Sequence, residues 1–238
     1  MSIRKIPLRF QSAFGVVYLI GLGILLSIYV YLCWLMLRIC LSYFPWSSTQ
    51  GFLALKQDVV NFLPWQWAFK VHVASSSLIL LAGFSQFWTG FRLCYPKWHR
   101  RLGWLYVLAV LGLAAPSGLI MAFYAAGGWL TQLCFVLLSM VWIIATILAV
   151  YYAISRRWQL HRHWMIRSFA LSLSALSLRS WKLLLYQLTP YVSGLSPQLI
   201  YQLEAWLGWL VNLFIAEFII YFLVVQQRRK THKNSLSA

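Results

Sequence analysis

Three histidines stand in or beside long apolar stretches: His72, His99 and His161. A neutral imidazole ligates metals and carries protons, and two of them held on different helices at one depth form the axial pair of a b-type haem. The sequence offers such a pair. When "WHRRLGWLYVLA" (98–109) is set beside "LHRHWMIRSFAL" (160–171), His99 and Arg100 coincide with His161 and Arg162, each at the start of an apolar run. In an up-down bundle these two runs lie diagonally across the core. His99 and His161 are therefore the expected ligands of haem b. Gly83 and Gly103 would leave room for the macrocycle, and arginines would hold its propionates. The same histidines also fit a plainer role, binding anionic lipid headgroups at the membrane boundary. A zinc site of Cys94, His99, His161 and His163 would place a dication among at least seven Arg and Lys without a carboxylate, so no metal site of that kind is expected.

A second constellation lies toward the other face. At 100° per residue, His72, Ser75, Ser76, Ile79, Gly83, Gln86 and Gly90 share one side of a helix, and Ser168, Ser172, Ala175, Arg179 and Lys182 line up on another. Such faces turn inward, because lipid cannot satisfy their polar groups. His72 and Arg179 are each about 10 Å in from the outer boundary. Together they outline a polar pocket for a quinone or similar small carrier. Nearer the basic face, Arg167 is the natural partner of Glu217, read here as the sole acid within a span. Gln86, Arg167 and Glu217 are assigned to a polar core. If no cofactor binds, the same His/Arg/Glu interior would serve a transporter, a lipid-binding protein or an assembly partner.

The elements that must position these residues are membrane helices. Apolar residues make up 62% of the 238 and charged residues only 10%, which excludes an ordinary soluble domain. Runs near 13–37, 65–90, 102–124, 130–154, 164–187 and 205–226 each approach the roughly 20 residues needed to cross hydrocarbon. The expected fold is an all-α integral membrane protein of six transmembrane helices, spans 2–5 forming an up-down four-helix bundle. Residues 1–64 would be an uncleaved anchor helix and external loop, 65–226 a five-helix core with a polar interior, and 227–238 a basic cytoplasmic tail. With the N-terminus (Arg4, Lys5, Arg9) in the cytoplasm, Arg92, Lys97, Arg100, Arg101, Arg156, Arg157, Arg162, Arg228, Arg229, Lys230 and Lys233 fall on the same side. The positive-inside rule thus accounts for most of the +17 net charge without nucleic acid, and both termini are expected in the cytoplasm. Cys33, Cys40, Cys94 and Cys134 have no metal-like spacing. No GxSxG, HExxH or phosphate-cradling glycine loop occurs, and three acids in all leave little for paired-carboxylate catalysis.

The blocks "HVASSSLILLAGFSQF", "HRRLGWLYV", "HRHWMIRSFALSLSALSLRSW" and "WLVNLFIAE" resemble the bacterial predicted membrane proteins of the domain-of-unknown-function family 2306, over about residues 66–222. The family's pattern falls on His72, Gln86, His99, Arg100, Gly103, His161, Trp164, Arg167, Arg179 and Glu217. Two positions depart from it: Trp104 stands where an arginine usually follows the glycine, and His163 where a longer charged residue is common. The resemblance implies a multi-pass protein of the bacterial inner membrane and leaves its biochemistry open.

Overall fold

A computed structural model describes residues 13–43, 46, 51–192 and 194–236. Arg4, Lys5 and Arg9 of the expected anchor lie outside them. Among the described residues there is no strand. The helices are α1 (Ala13–Leu41), α2 (Leu63–Ser85), α3 (Thr89–Cys94), α4 (Pro96–Leu108), α5 (Ala115–Ala122), α6 (Trp129–Ile154), α7 (Trp158–Ser172), α8 (Ser174–Leu188) and α9 (Pro197–Leu236). A π-helical segment, Ala109–Ala114, joins α4 to α5 without a break.

Five helices are long and apolar enough to cross a membrane: α1, α2, the continuous α4–α5, α6 and α9. The sixth predicted run, 164–187, is interrupted at Leu173 into α7 and α8. The two halves still follow α9 along one path. Arg167 meets Glu217, Ser177 meets Asn212, and Leu178 packs over Gly208. Serines compete with the helical ladder for backbone partners, and this stretch carries one at 168, 172, 174, 177 and 180. A carbonyl near the end of α7, that of Ala170, is taken up by Asn212 Nδ2 at 3.2 Å, while Asn212 Oδ1 accepts from Ser177. The break therefore leaves its backbone satisfied from α9, as hydrocarbon surroundings demand.

Helices α2, α4–α5, α6 and α7 pack in that order around a closed ring, the expected up-down bundle. Helix α9 covers α6, α7 and α8, and α1 leans on α2 and α8. Helix α1 runs antiparallel to α2, since Tyr29 bonds to Leu80 and Cys40 to Val73. The basic runs at the α3–α4 start, the α6–α7 turn and the end of α9 consequently share one end of the bundle. The core between the four helices is built largely from small residues (Ala82, Ala109, Ala114, Ala145, Ala149) around Tyr106, Ile79 and Leu171. Small side chains let membrane helices approach closely.

Several boundaries differ from expectation, and each matters to a site. Helix α2 ends at Ser85, so Gln86 is its cap and Gly90 belongs to α3. Pro96 opens α4 six residues before the predicted span, in a position where its missing N–H costs nothing, and this puts His99 inside the helix. Helix α9 begins at Pro197, which brings a second acid, Glu204, into a span; Glu217 is not the sole one. At its other end, the segment predicted as a tail from 227 continues α9 as far as Leu236.

Gly208 is the contact that lets α8 lie against α9. A Cβ there would stand 3.1 Å from Leu178 Cβ and 3.2 Å from its Cα. Gly208→Ala is expected to cost about 1 kcal/mol or more through overpacking, read as a lower thermal midpoint in detergent. Gly23→Ala, where nothing lies within 4 Å, is expected to be neutral.

Candidate functional site: two cavities in one bundle

The first cavity, about 800 Å³, opens at the basic end between α4 and the α6–α7 turn. His99, Arg100, Gly103 and Trp104 line it from α4, His161, Arg162 and Met165 from α7, and Gln86 and Arg92 from the α2–α3 corner. The α6–α7 turn is tight. Arg156 adopts a left-handed φ of 56°, unusual for a side-chain-bearing residue, and α7 starts two residues later. His161 is thereby held against the end of α6, and its Nδ1 lies 2.8 Å from the carbonyl of Ala149. A carbonyl only accepts, so Nδ1 carries the proton and Nε2 keeps its lone pair. His99 is held differently. The Gln86 amide stands 3.2 Å from both His99 Nδ1 and the His99 carbonyl; with its nitrogen turned to them it donates to both, the orientation that leaves the proton of neutral His99 on Nε2. Arg92, Arg100 and Arg162 supply the charge of this wall, and no acid lines it among the described residues.

Gly103 belongs to this wall, close to Gln86. Gly83 does not, contrary to expectation. A Cβ on Gly83 would stand 2.6 Å from the Phe169 ring and 2.9 Å from that of Tyr106, so this glycine serves helix packing and opens no space for a ligand.

The second cavity, about 450 Å³, lies toward the opposite end. His72 and Arg179 both line it, as the depth argument anticipated, together with Ser76, Lys182 and Glu204. Its apolar wall includes Trp65 and Phe69, stacked with centroids 5.5 Å apart. His72 Nδ1 lies 2.9 Å from the carbonyl of Ala114, the last residue of the π segment. Pro116 explains that segment: it has no N–H to continue the ladder, and its ring crowds the carbonyl four residues back. The Ala114 carbonyl, which also accepts from Ser117 Oγ, fixes the His72 tautomer, while Gly118 makes room for the ring, 3.1 Å from where its Cβ would be. At the rim, outside the spans, buried Lys56 donates to the Tyr124 carbonyl. Burial pushes its ammonium below the usual lysine range, with Asp58 acting the other way.

Between the cavities lies a hydroxyl cluster with no solvent contact of note. Tyr106 Oη bonds to Ser168 Oγ at 2.7 Å and to Ser172 Oγ at 2.8 Å, and Thr146 Oγ1 bonds to Ser168 Oγ at 2.7 Å. Three helices of the ring, one of them diagonal to another, are tied at this point.

Arg167 and Glu217 do pair, in a two-pronged contact whose Nη2–Oε2 distance is 2.8 Å, with the Arg167 guanidinium 4.5 Å from the Trp164 ring centroid. Their side chains are 22% and 48% exposed, however. The pair sits on the flank of the bundle and lines neither cavity, so its assignment to the polar core is corrected. Helix α9 packs outside the four-helix ring, which is why an acid on it can face away from the interior.

Residues 69–220 match the family described as predicted membrane protein (DUF2306). The chain belongs to this family. No curated protein and no solved structure matches it. The segment that places the chain in DUF2306 holds the whole hydroxyl cluster, all three span histidines and Glu204, whereas Trp65 and the loop around Lys56 precede it.

Sequence reasoning missed two parts of this arrangement. Glu204 escaped because the last span was begun at 205, eight residues after the start of α9; Pro197 after a Ser-containing turn was the available signal for an earlier start. Tyr106 escaped because a tyrosine in an apolar run reads as an interfacial residue.

Tyr106→Phe removes the hydroxyl shared by Ser168 and Ser172 and is expected to cost about 1–3 kcal/mol of thermal stability, measured as the unfolding midpoint of the purified protein. Lys56 supplies a pH test. The folded chain holds its proton less tightly than the unfolded one, so the stability of the wild type relative to Lys56→Met is expected to rise as pH climbs toward the ordinary lysine value of about 10.4. Parallel melts of the two proteins from neutral to alkaline pH measure it.

Proposed function

We propose that the protein is a redox protein of the bacterial inner membrane, its basic end in the cytoplasm, holding a b-type haem at that end and serving a quinone-like carrier at the other. The observation that carries this reading is that His99 and His161, from the two halves of the internal repeat, line one cavity whose remaining charges are arginines. Among the described residues no three His, Cys, Asp or Glu side chains come together as a metal site, so iron would rest on imidazoles and on the porphyrin's own nitrogens.

His161 fits the role as it stands. Ligating histidines characteristically donate the other ring nitrogen to a carbonyl or carboxylate, and Nδ1 of His161 does so to Ala149. His99 fits on one condition. Its single ring proton must sit on Nδ1 rather than Nε2, with the Gln86 amide oxygen turned to accept it, an orientation the amide reaches with little change of shape. Arg92, Arg100 and Arg162 would meet the propionates. Haem supplies one-electron transfer when bound; the chain's part is to fix the imidazoles, neutralise the carboxylates and keep the ring among Phe87, Trp104 and Met165.

A second reading, an anionic lipid headgroup in the same cavity, is favoured by the absence of any acid among the described lining residues. A transport path from His72 to Glu217 draws less support, since Glu217 faces outward beside Arg167.

An absorbance spectrum of protein purified from haem-replete cells distinguishes them. A Soret band is expected, lost in His161→Ala, with Gln86→Leu altering the reduction potential rather than abolishing the band. Clean, folded protein with no Soret absorbance, retaining anionic lipid through purification, would leave the lipid reading in place of the haem.

A further inference from the structure

Glu204 is the least expected residue in the molecule. Its side chain lines the second cavity, the residue is 1% exposed, and Oε2 has no hydrogen-bond partner among the described residues. Arg179 and Lys182 line the same cavity and act on it electrostatically, yet neither makes a hydrogen bond to it. A buried acceptor left unmet costs free energy that a donor arriving with a ligand would recover. His72 presents a second acceptor. With Nδ1–H committed to the Ala114 carbonyl, its Nε2 lone pair has no proton of its own.

The chemistry of the remaining wall narrows what can bring two donors. A cationic donor would meet Lys56, Arg179 and Lys182. An anion would meet the Glu204 carboxylate. A neutral molecule with hydroxyl donors and an apolar body meets neither objection, and Trp65, Phe69 and Ile79 offer the surface for an aromatic ring. The cavity of about 450 Å³ is within the usual range for a small ligand.

We propose that this cavity selects the hydroxyl-bearing, reduced form of a quinone, the quinol, its hydroxyls donating to Glu204 Oε2 and His72 Nε2. The inference rests on the reading of this cavity as a carrier site and is independent of haem. The oxidised ring carries carbonyls in place of hydroxyls. These only accept, and they would leave Glu204 Oε2 and His72 Nε2 facing acceptors. The π segment is what makes the preference possible, because it supplies the carbonyl that fixes the His72 tautomer.

The test is equilibrium dialysis of the full chain in detergent, under anaerobic conditions, against tetramethyl-1,4-benzoquinol and separately against its oxidised quinone. The wild type is expected to bind the quinol about tenfold more tightly, the worth of one good hydrogen bond to a charged group. Glu204→Gln, which keeps the shape and adds a donor that a quinone carbonyl can use, is expected to cut the preference to the smaller part that His72 supplies, and Glu204→Asp to retain more of it. Equal binding of both rings by the wild type, or a preference undiminished in Glu204→Gln, overturns the selection and leaves the carrier site standing. Binding of neither ring overturns the carrier site and the selection with it. Thermal midpoints of the two variants near that of the wild type show that the comparison is between folded proteins.

Discussion

Hydrocarbon offers no hydrogen-bond partner, so every polar group carried into the membrane has to find one inside the protein. The Tyr106 hydroxyl is where this constraint is met most compactly. It reaches Ser168 and Ser172 on the diagonal helix, and Ser168 in turn reaches Thr146 on α6. The surrounding core is rich in alanines, which allow the helices close enough for short hydroxyl groups to touch. Gly83 belongs to the same logic, giving its Cβ space to Phe169 and Tyr106. A cluster of this kind divides the bundle, leaving one cavity at each end with a different chemical lining.

The two cavities depend on departures from regular helix. Pro116 turns six residues of the third span into a π segment, and the Ala114 carbonyl at its end accepts a hydrogen bond from His72 Nδ1–H. The interruption at Leu173 separates α7, which belongs to the ring, from α8, which brings Arg179 and Lys182 to the second cavity. Asn212 on α9 meets both sides of that interruption. Departures of this kind are frequent at functional sites, since they free backbone groups or re-aim side chains that a continuous helix would hold elsewhere. At the basic end no such device is needed. A tight turn through Arg156 and the first residues of α4 and α7 are enough to set His161 and His99 on one wall.

Much of this was legible in the chain alone. Hydropathy and length marked the spans, because crossing hydrocarbon has a fixed length requirement. The clustering of Arg and Lys between alternate spans marked one end as basic. The His-Arg repeat anticipated that His99 and His161 would share a cavity, and depth anticipated that His72 and Arg179 would share another. The pairing of Arg167 with Glu217 followed from depth alone, yet depth says nothing of which side of a helix faces inward. That is why the pair was placed in the core and stands on the flank. Gly83 failed for a related reason: a missing side chain signals close approach without saying whether a ligand or a neighbouring ring approaches.

Sequence by itself determined that this is a helical membrane protein of the DUF2306 family with one basic end, because apolar length, charge bias and family pattern are carried residue by residue. Tertiary structure alone decided where helices begin, bend and break. It also decided which polar atoms meet: Glu204 enters a cavity because α9 starts at Pro197, and Asn212 meets Ser177 where Gly208 lets α8 lie close. The physical reason is that hydrogen bonds and packing contacts between helices depend on rotation and depth to within about an ångström, whereas the hydrophobic pattern constrains them only to a face and a turn.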